Sequence, residues 1–209
     1  MSFDTMVTIK VGPDEKVFTA PRNVFCQSPF FKAALSGVWA ESKEGLTMPE
    51  DSHDAFATWL QWAFSGQIVI MDDELTVDTI DLYFTKLVEL YILADKIGDI
   101  ALQNNVVDQV LGIITSFNRI PQDPVIQRVF AGTPEDCRLQ KLILDQYTYE
   151  TSDTVFSVDM IRTNAALFAK VLTAMTNQRH EGGLKPGFPQ ERKAKCYYHV
   201  HNEDTPACK

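Results

Sequence analysis

The spacing of apolar positions changes from a period of two to a helical period along the chain. Near the start, "MVTIKVG" alternates Val7, Ile9 and Val11 with polar neighbours, and the turn residues "PDE" separate this run from "KVFTA". This pattern predicts a β-hairpin over residues 6–20. Two later runs, "LTMPED" and "QIVIM", are short enough to be further strands.

Helical spacing dominates the rest of the chain. The predicted helices cover residues 28–37, 52–65, 79–97, 99–117, 133–147 and 157–175. Ser28, Asp51 or Ser52, Asp99, Thr133 and Ser157 stand where N-caps are expected, and Gly66 and Gly98 stand where helices end. A little sheet followed by many helices is typical of an α+β fold and not of alternating βαβ units.

The segment "SPFFKAALSGVW", residues 28–39, is unusually apolar for a surface helix. Its large apolar side chains fall on two faces of the predicted helix: Phe30, Phe31, Leu35, Val38 and Trp39. One face is expected in the core. For the other face there are two candidates, the "WLQWAFSG" helix of the same chain or a partner protein, and we favour internal cover.

Composition indicates a folded chain with a less regular end. Apolar residues make up 45% of the 209 positions, enough for a substantial core. Two prolines interrupt the helical pattern in "NRIPQDP", and glycine, proline and charge dominate from His180 onward. We therefore predict a domain over residues 5–120, a helical extension over 121–179 packed on it, and a flexible tail over 180–209.

Charge and hydropathy disfavour several classes of partner. Residues 1–120 hold 8 basic and 17 acidic side chains, so the formal charge of −9 arises there, and an acidic body repels nucleic acid. No apolar run of about eighteen residues is present, which argues against a membrane span. The first ten residues lack a secretion signal, so we expect a cytoplasmic or nuclear protein whose four cysteines form no disulfides.

Four stretches, taken in order, resemble a BTB/POZ domain of the fungal type. They are "VTIKVG", "VFTAPRNVFCQSPFFKAALSGVWAES", "LTMPEDSHDAFATWLQWAFSGQI" and "LVELYILADKIGDIALQNNVVDQV". The resemblance covers roughly residues 5–117 and depends on the ordered set, because no single stretch is specific. Pro21 and Arg22 stand where many members have a His-Lys pair, so pocket chemistry that needs that histidine is not expected.

The resemblance implies a BTB/POZ fold, a small sheet with clustered helical hairpins, that acts through protein contacts without catalysis. Members bind a cullin scaffold as ubiquitin-ligase substrate adaptors, act as transcriptional co-regulators, or serve as assembly subunits, and the residues do not separate these roles. The hydrophobic-any-Glu pattern at Trp39 and Glu41 matches one that some cullin-binding members carry, and Phe31 and Leu35 precede it on the same helix. The alternative, which we favour, is ordinary packing of Trp39, because so loose a pattern arises easily by chance. A monomer or weak homodimer is expected, since little chain precedes the first strand.

Two candidate chemistries are weaker. In the tail, Cys196, His199, His201 and Cys208 spell C-x2-H-x-H-x6-C, and thiolate with imidazole suits zinc. The spacing is not that of a standard zinc finger, so we favour a loose tail, assign no metal or cofactor, and keep a metal-dependent enzyme as a remote alternative. The adjacent residues Ser52, His53 and Asp54 cannot form a catalytic line, and helix capping explains them better.

Overall fold

The computed structural model describes residues 5–36, 45–70, 75–149, 157–180 and 196–208. It divides the chain into two compact units, residues 1–106 and 107–209. The described part contains both a small sheet and many helices, so the predicted α+β class is confirmed. Within it, none of the helices combines the length and the apolar character that crossing a bilayer requires.

A three-stranded sheet opens the first unit, with strands β1 (Met6–Val11), β2 (Lys16–Pro21) and β3 (Leu46–Met48) in the order β2-β1-β3. The predicted hairpin is confirmed, because β1 and β2 pair antiparallel. Strand β3 pairs parallel to β1, with Ile9 opposite Leu46. Ile9 and Val11 are fully buried, which explains why the period-two pattern is clearest there.

Five helices follow in the described part of this unit and at its end. They are α1 (Arg22–Phe25), α2 (Pro29–Ala34), α3 (His53–Ser65), α4 (Ile80–Ile97) and α5 (Ile100–Phe117), the last of which runs into the second unit. Several predicted caps are confirmed: the Ser28 hydroxyl accepts from the Phe31 amide, and Asp99 Oδ1 accepts from the Leu102 amide at 2.9 Å. Gly98 ends α4 at φ 74°, the left-handed conformation that glycine adopts at little cost.

The predicted strand "QIVIM" is wrong for residues 67–70, which form no strand, and Met71 lies outside the described residues. The local hydrogen bonds explain this. Ser65 Oγ accepts from the Gln67 amide at 3.1 Å, so the chain leaving α3 is tied back to the end of that helix.

The core of the first unit contains a cluster of aromatic rings. The centre of the Phe31 ring on α2 lies 5.0 Å from that of Trp59 and 6.1 Å from that of Phe56, both on α3. It lies 5.6 Å from the ring centre of Phe25 on α1. All four side chains are fully buried. The cluster joins the two short helices after the hairpin to the "WLQWAFSG" helix, so internal cover of this apolar segment is confirmed for Phe31.

The second unit continues with helices α6 (Val125–Gly132), α7 (Arg138–Tyr149), α8 (Val158–Thr163) and α9 (Ala165–His180). Helix α7 packs against α6 and α9. Tyr147 of α7 is fully buried, stacks edge-on against Phe168 of α9 at 5.7 Å, and donates a 2.6 Å hydrogen bond to the Pro121 carbonyl. This tyrosine therefore links α7, α9 and the segment that precedes α6.

The predicted helix start at Thr133 is wrong, because α7 begins at Arg138. Thr133 instead ends α6, its amide donating to the Val129 carbonyl, and Asp136 has a φ of 58° that a helix cannot continue through. The Gln140 side chain reaches back to both: its Oε1 accepts from the Asp136 amide and its Nε2 donates to Thr133. The Gln140 side chain therefore stabilises residues 133–136 as a turn, where the sequence pattern predicts the first turn of the helix.

The predicted helix over residues 157–175 begins as expected but is interrupted. Ser157 Oγ accepts from the Met160 amide at 3.1 Å, so the predicted cap is confirmed. Asn164 then leaves the helical conformation, and its amide donates to Asp123 Oδ1 at 2.6 Å and to the Met160 carbonyl. The backbone amide of Asn164 still donates to the Met160 carbonyl and its carbonyl accepts from the Phe168 amide, so the tertiary bond of the side chain is made in addition to the helical ones.

Candidate functional site

The four residues predicted to contact a partner differ in what the structure says of them. Phe31 has no exposed surface, and therefore a partner does not reach it unless the aromatic cluster opens. Leu35 is half-buried at the end of α2, where the Arg22 side chain donates to its carbonyl at 2.8 Å. Trp39 and Glu41 lie outside the described residues.

A groove of 490 Å³ lies between α3 and α4 of the first unit. Apolar side chains, among them Ala55 and the part-exposed Leu82, line it together with charged ones, among them Lys86 and Glu89. The groove therefore combines apolar surface with charged side chains.

The Ser52-His53-Asp54 stretch serves the start of α3. Ser52 Oγ accepts from the Ala55 amide at 3.3 Å, so the predicted capping role is confirmed. His53 Nδ1 lies 2.8 Å from Asp54 Oδ1 on the exposed surface.

Residues 196–208 depart from the flexible tail predicted for 180–209. Tyr198 and His199 are buried, and three consecutive side chains contact helices of the second unit. Lys141 of α7 stands 4.0 Å from the centre of the Tyr197 ring, and Tyr198 donates a 3.0 Å hydrogen bond to Asp145 of the same helix. Burial, with the charge of Asp145, raises the pKa of Tyr198 far above its usual value, so the phenol stays protonated as a donor.

The docked segment brings together two thiols and two imidazoles. We call this group the Cys/His cluster: Cys196, His199, His201 and Cys208. The ligand atoms of Cys196, His201 and Cys208 all lie within 4.8 Å of one another. His199 Nδ1 lies 3.1 Å from Cys208 Sγ. Three of the four candidate ligands of the sequence motif therefore lie together, and the fourth, His199, is in contact with one of them.

His201 has one ring nitrogen that is buried without a hydrogen-bond partner among the described residues. Its Nδ1 lies 3.2 Å from the Thr205 carbonyl oxygen. Because a carbonyl only accepts, Nδ1 must carry the proton, and Nε2 is left as the unprotonated nitrogen. This Nε2 is buried and has no hydrogen-bond partner among the described residues. A buried nitrogen lone pair without a donor is unfavourable unless something positive meets it.

In His199 the hydrogen-bond partners place the proton on the other ring nitrogen, and one nitrogen is again left with a lone pair. Its Nε2 lies 2.8 Å from Asp108 Oδ1, on the part of α5 that belongs to the second unit. The carboxylate accepts, so Nε2 carries the proton and the lone pair of Nδ1 faces Cys208 Sγ. A carboxylate behind a histidine in this way is typical of metal-binding histidines, where it fixes the tautomer and raises the basicity of the ligand nitrogen.

The two thiols influence each other. Desolvation raises the pKa of Cys208, and the hydrogen bond and charge of Cys196 raise it further. A cation bound between the two sulfurs would instead favour their thiolate forms.

Two contributors to the Cys/His cluster are not marked by any sequence signal. Asp108 lies 91 residues before His199, on a helix whose apolar periodicity says nothing of a ligand partner. The Thr205 carbonyl is a backbone group. An aspartate on a helix is usually a solvent-exposed surface residue. Only the contact with residues 196–208 shows that Asp108 is the hydrogen-bond partner of His199.

Sequence comparison with protein-family models and curated proteins finds no match.

Proposed function

We propose that the chain is a non-enzymatic protein-interaction module whose first unit is of the BTB/POZ type, and that it works as a cullin-linked substrate adaptor. The observation that carries this proposal is the order and pairing of elements in the first unit. A hairpin, two short helices, a third strand and then longer helices follow one another in the order of the stretches that carry the resemblance, although residues 67–70 do not form the short strand expected after α3.

The surface of the first unit supports a role in binding. Besides the groove between α3 and α4, this unit exposes large apolar side chains, with Phe64 60% and Val17 59% accessible. Its formal charge is strongly negative, which favours a partner with a basic contact surface. An apolar anchor at Trp39 with the Glu41 carboxylate beside it would suit such a surface, the ring filling a pocket and the carboxylate pairing at its rim.

Binding of the purified full-length chain to a purified cullin amino-terminal region, measured by calorimetry, tests the proposal. The test variant is Trp39→Ala with Glu41→Ala. The matched control is Leu172→Ala, which removes an apolar side chain that is 65% exposed on α9 of the second unit. We expect the wild type and the control to bind and the double variant to lose binding while its urea-unfolding midpoint stays unchanged.

Two results would count against the proposal, each in its own way. If the wild type does not bind the cullin, the adaptor role is wrong. If the double variant binds as well as the wild type, the adaptor role stands and the assignment of Trp39 and Glu41 is wrong. A Leu82→Ala variant then asks whether the groove between α3 and α4 is the contact surface.

A further inference from the structure

We propose that the Cys/His cluster binds one zinc ion, which fastens residues 196–208 to the second unit. This inference concerns the second unit alone and does not depend on the proposed function of the first.

The donor set and its dimensions suit zinc. Two thiolates and two imidazoles form a complete tetrahedral set, with expected metal–ligand distances of about 2.3 Å for sulfur and about 2.0 Å for nitrogen. In such a tetrahedron neighbouring ligand atoms stand roughly 3.3–3.8 Å apart. His199 Nδ1 lies 3.1 Å from Cys208 Sγ, and the ligand atoms of the other three residues lie within 4.8 Å of one another, so small shifts of these side chains would give tetrahedral spacing.

The histidine tautomers add evidence that is independent of the distances. The Thr205 carbonyl fixes the proton of His201 on Nδ1, and the Asp108 carboxylate fixes the proton of His199 on Nε2. In the neutral rings this leaves Nδ1 of His199, which contacts Cys208 Sγ, and Nε2 of His201 as the nitrogens with a lone pair for a metal. The buried and unpartnered Nε2 of His201 is the clearest sign of an absent positive partner.

The role that follows is structural. Four protein ligands fill a tetrahedron and leave no position for a substrate or a reactive water. The segment is short, and Tyr198 is its one deeply buried apolar side chain among the described residues 196–208. Short segments with little core commonly depend on a metal or a disulfide, and the free energy of metal binding then stabilises the fold directly. Zinc here would hold the segment in the position where Tyr198 and His199 meet α7 and α5.

Metal content and ligand field of the full-length protein test the site. Native mass spectrometry would give the zinc stoichiometry, and Co²⁺ substitution would report a tetrahedral site with thiolate ligands through its visible absorption. The test variants are Cys196→Ser and Cys208→Ser. Cys26→Ser and Cys137→Ser are matched controls, because these free cysteines lie outside the cluster.

We expect one zinc per chain in the wild type and in both controls. Loss of either cluster cysteine should weaken zinc binding by more than the roughly 10–100-fold that removal of an outer-shell partner costs. Absence of retained zinc at micromolar free metal, a Co²⁺ spectrum without tetrahedral bands, or equal losses in the control variants would overturn the proposal. A Cys196–Cys208 disulfide in protein purified under reducing conditions would overturn it as well.

The fastening role has its own readout. Hydrogen exchange in residues 196–208 should be slow with zinc and fast after chelation, while exchange in α3 and α4 stays constant. Equal protection of the segment with and without metal would show that zinc does not fasten it.

Discussion

Phe31 is a decisive position because two roles have been assigned to it. As a contact residue it would be replaceable at little cost to folding. As a core residue it has no exposed surface and meets a ring on each side: Phe25, Phe30, Phe56 and Trp59. Truncation to alanine separates the two roles, because only the second predicts a large loss of stability.

The expected loss follows from burial and packing. Replacing a buried phenylalanine by alanine costs about 3–5 kcal/mol, as the lost transfer free energy is joined by the cavity that remains. Three of the surrounding rings, those of Phe25, Phe56 and Trp59, are fully buried, which limits how far the site can collapse, so the upper half of that range, about 4–5 kcal/mol, is expected. Phe31→Leu keeps most of the volume and loses mainly the ring contacts, worth about 0.5–1.5 kcal/mol each.

Urea unfolding followed by tryptophan fluorescence measures this loss in the right place, because all three tryptophans lie in residues 1–106. With a slope of about 2 kcal/mol per molar urea, the midpoint of Phe31→Ala should fall by roughly 2 M, and that of Phe31→Leu by much less. Phe64→Ala on the exposed side of α3 is the control, expected within about 0.5 kcal/mol of wild type. A loss below 1 kcal/mol for Phe31→Ala, or a similar loss for the control, would refute the placement of this ring in the core.

Three further substitutions test single contacts. Asp108→Ala should weaken zinc binding by about 10–100-fold and Asp108→Asn by less, since asparagine keeps an acceptor without the charge; a competition titration with a chelator would show equal affinities if the carboxylate were irrelevant. Tyr198→Phe should cost about 1–2 kcal/mol at neutral pH by removing the bond to Asp145. Because the folded pKa of Tyr198 is raised, this advantage should be complete below about pH 10, where the unfolded tyrosine is protonated, and shrink as pH rises further; a gap in denaturation midpoint that stays constant would contradict it. Ser28→Ala should cost about 1–3 kcal/mol in urea unfolding, because the buried hydroxyl donates to the Ile97 carbonyl at 2.7 Å, and a neutral result would mean that water replaces it.

Local signals predicted those features whose cause is local. The hairpin and the ends of α3 and α4 follow from alternation, from Ser52 and from glycines that adopt a left-handed conformation. The failures share a different cause. At residue 133 a side chain from inside α7 reaches back to the turn before the helix, and at Asn164, whose side chain donates to Asp123, the backbone leaves the helical conformation although the apolar spacing continues. Both features involve side chains distant in sequence, Gln140 and Asp123, which helix propensities and capping patterns do not take into account.

The Cys/His cluster also depends on tertiary contacts that local sequence does not reveal. The sequence identifies its four residues as candidate ligands but does not predict that they come together. The spacing C-x2-H-x-H-x6-C matches no standard finger, and a short polar segment offers no periodicity from which a fold could be inferred. What assembles the ligands is tertiary: Tyr198 anchors the segment on α7, and Asp108 of α5 selects the tautomer of His199. These contacts bring the ligands near one another, and zinc would add the bonds that hold residues 196–208 in that position. Such a site should bind zinc with less loss of chain entropy than the isolated tail peptide, and should therefore bind it more tightly.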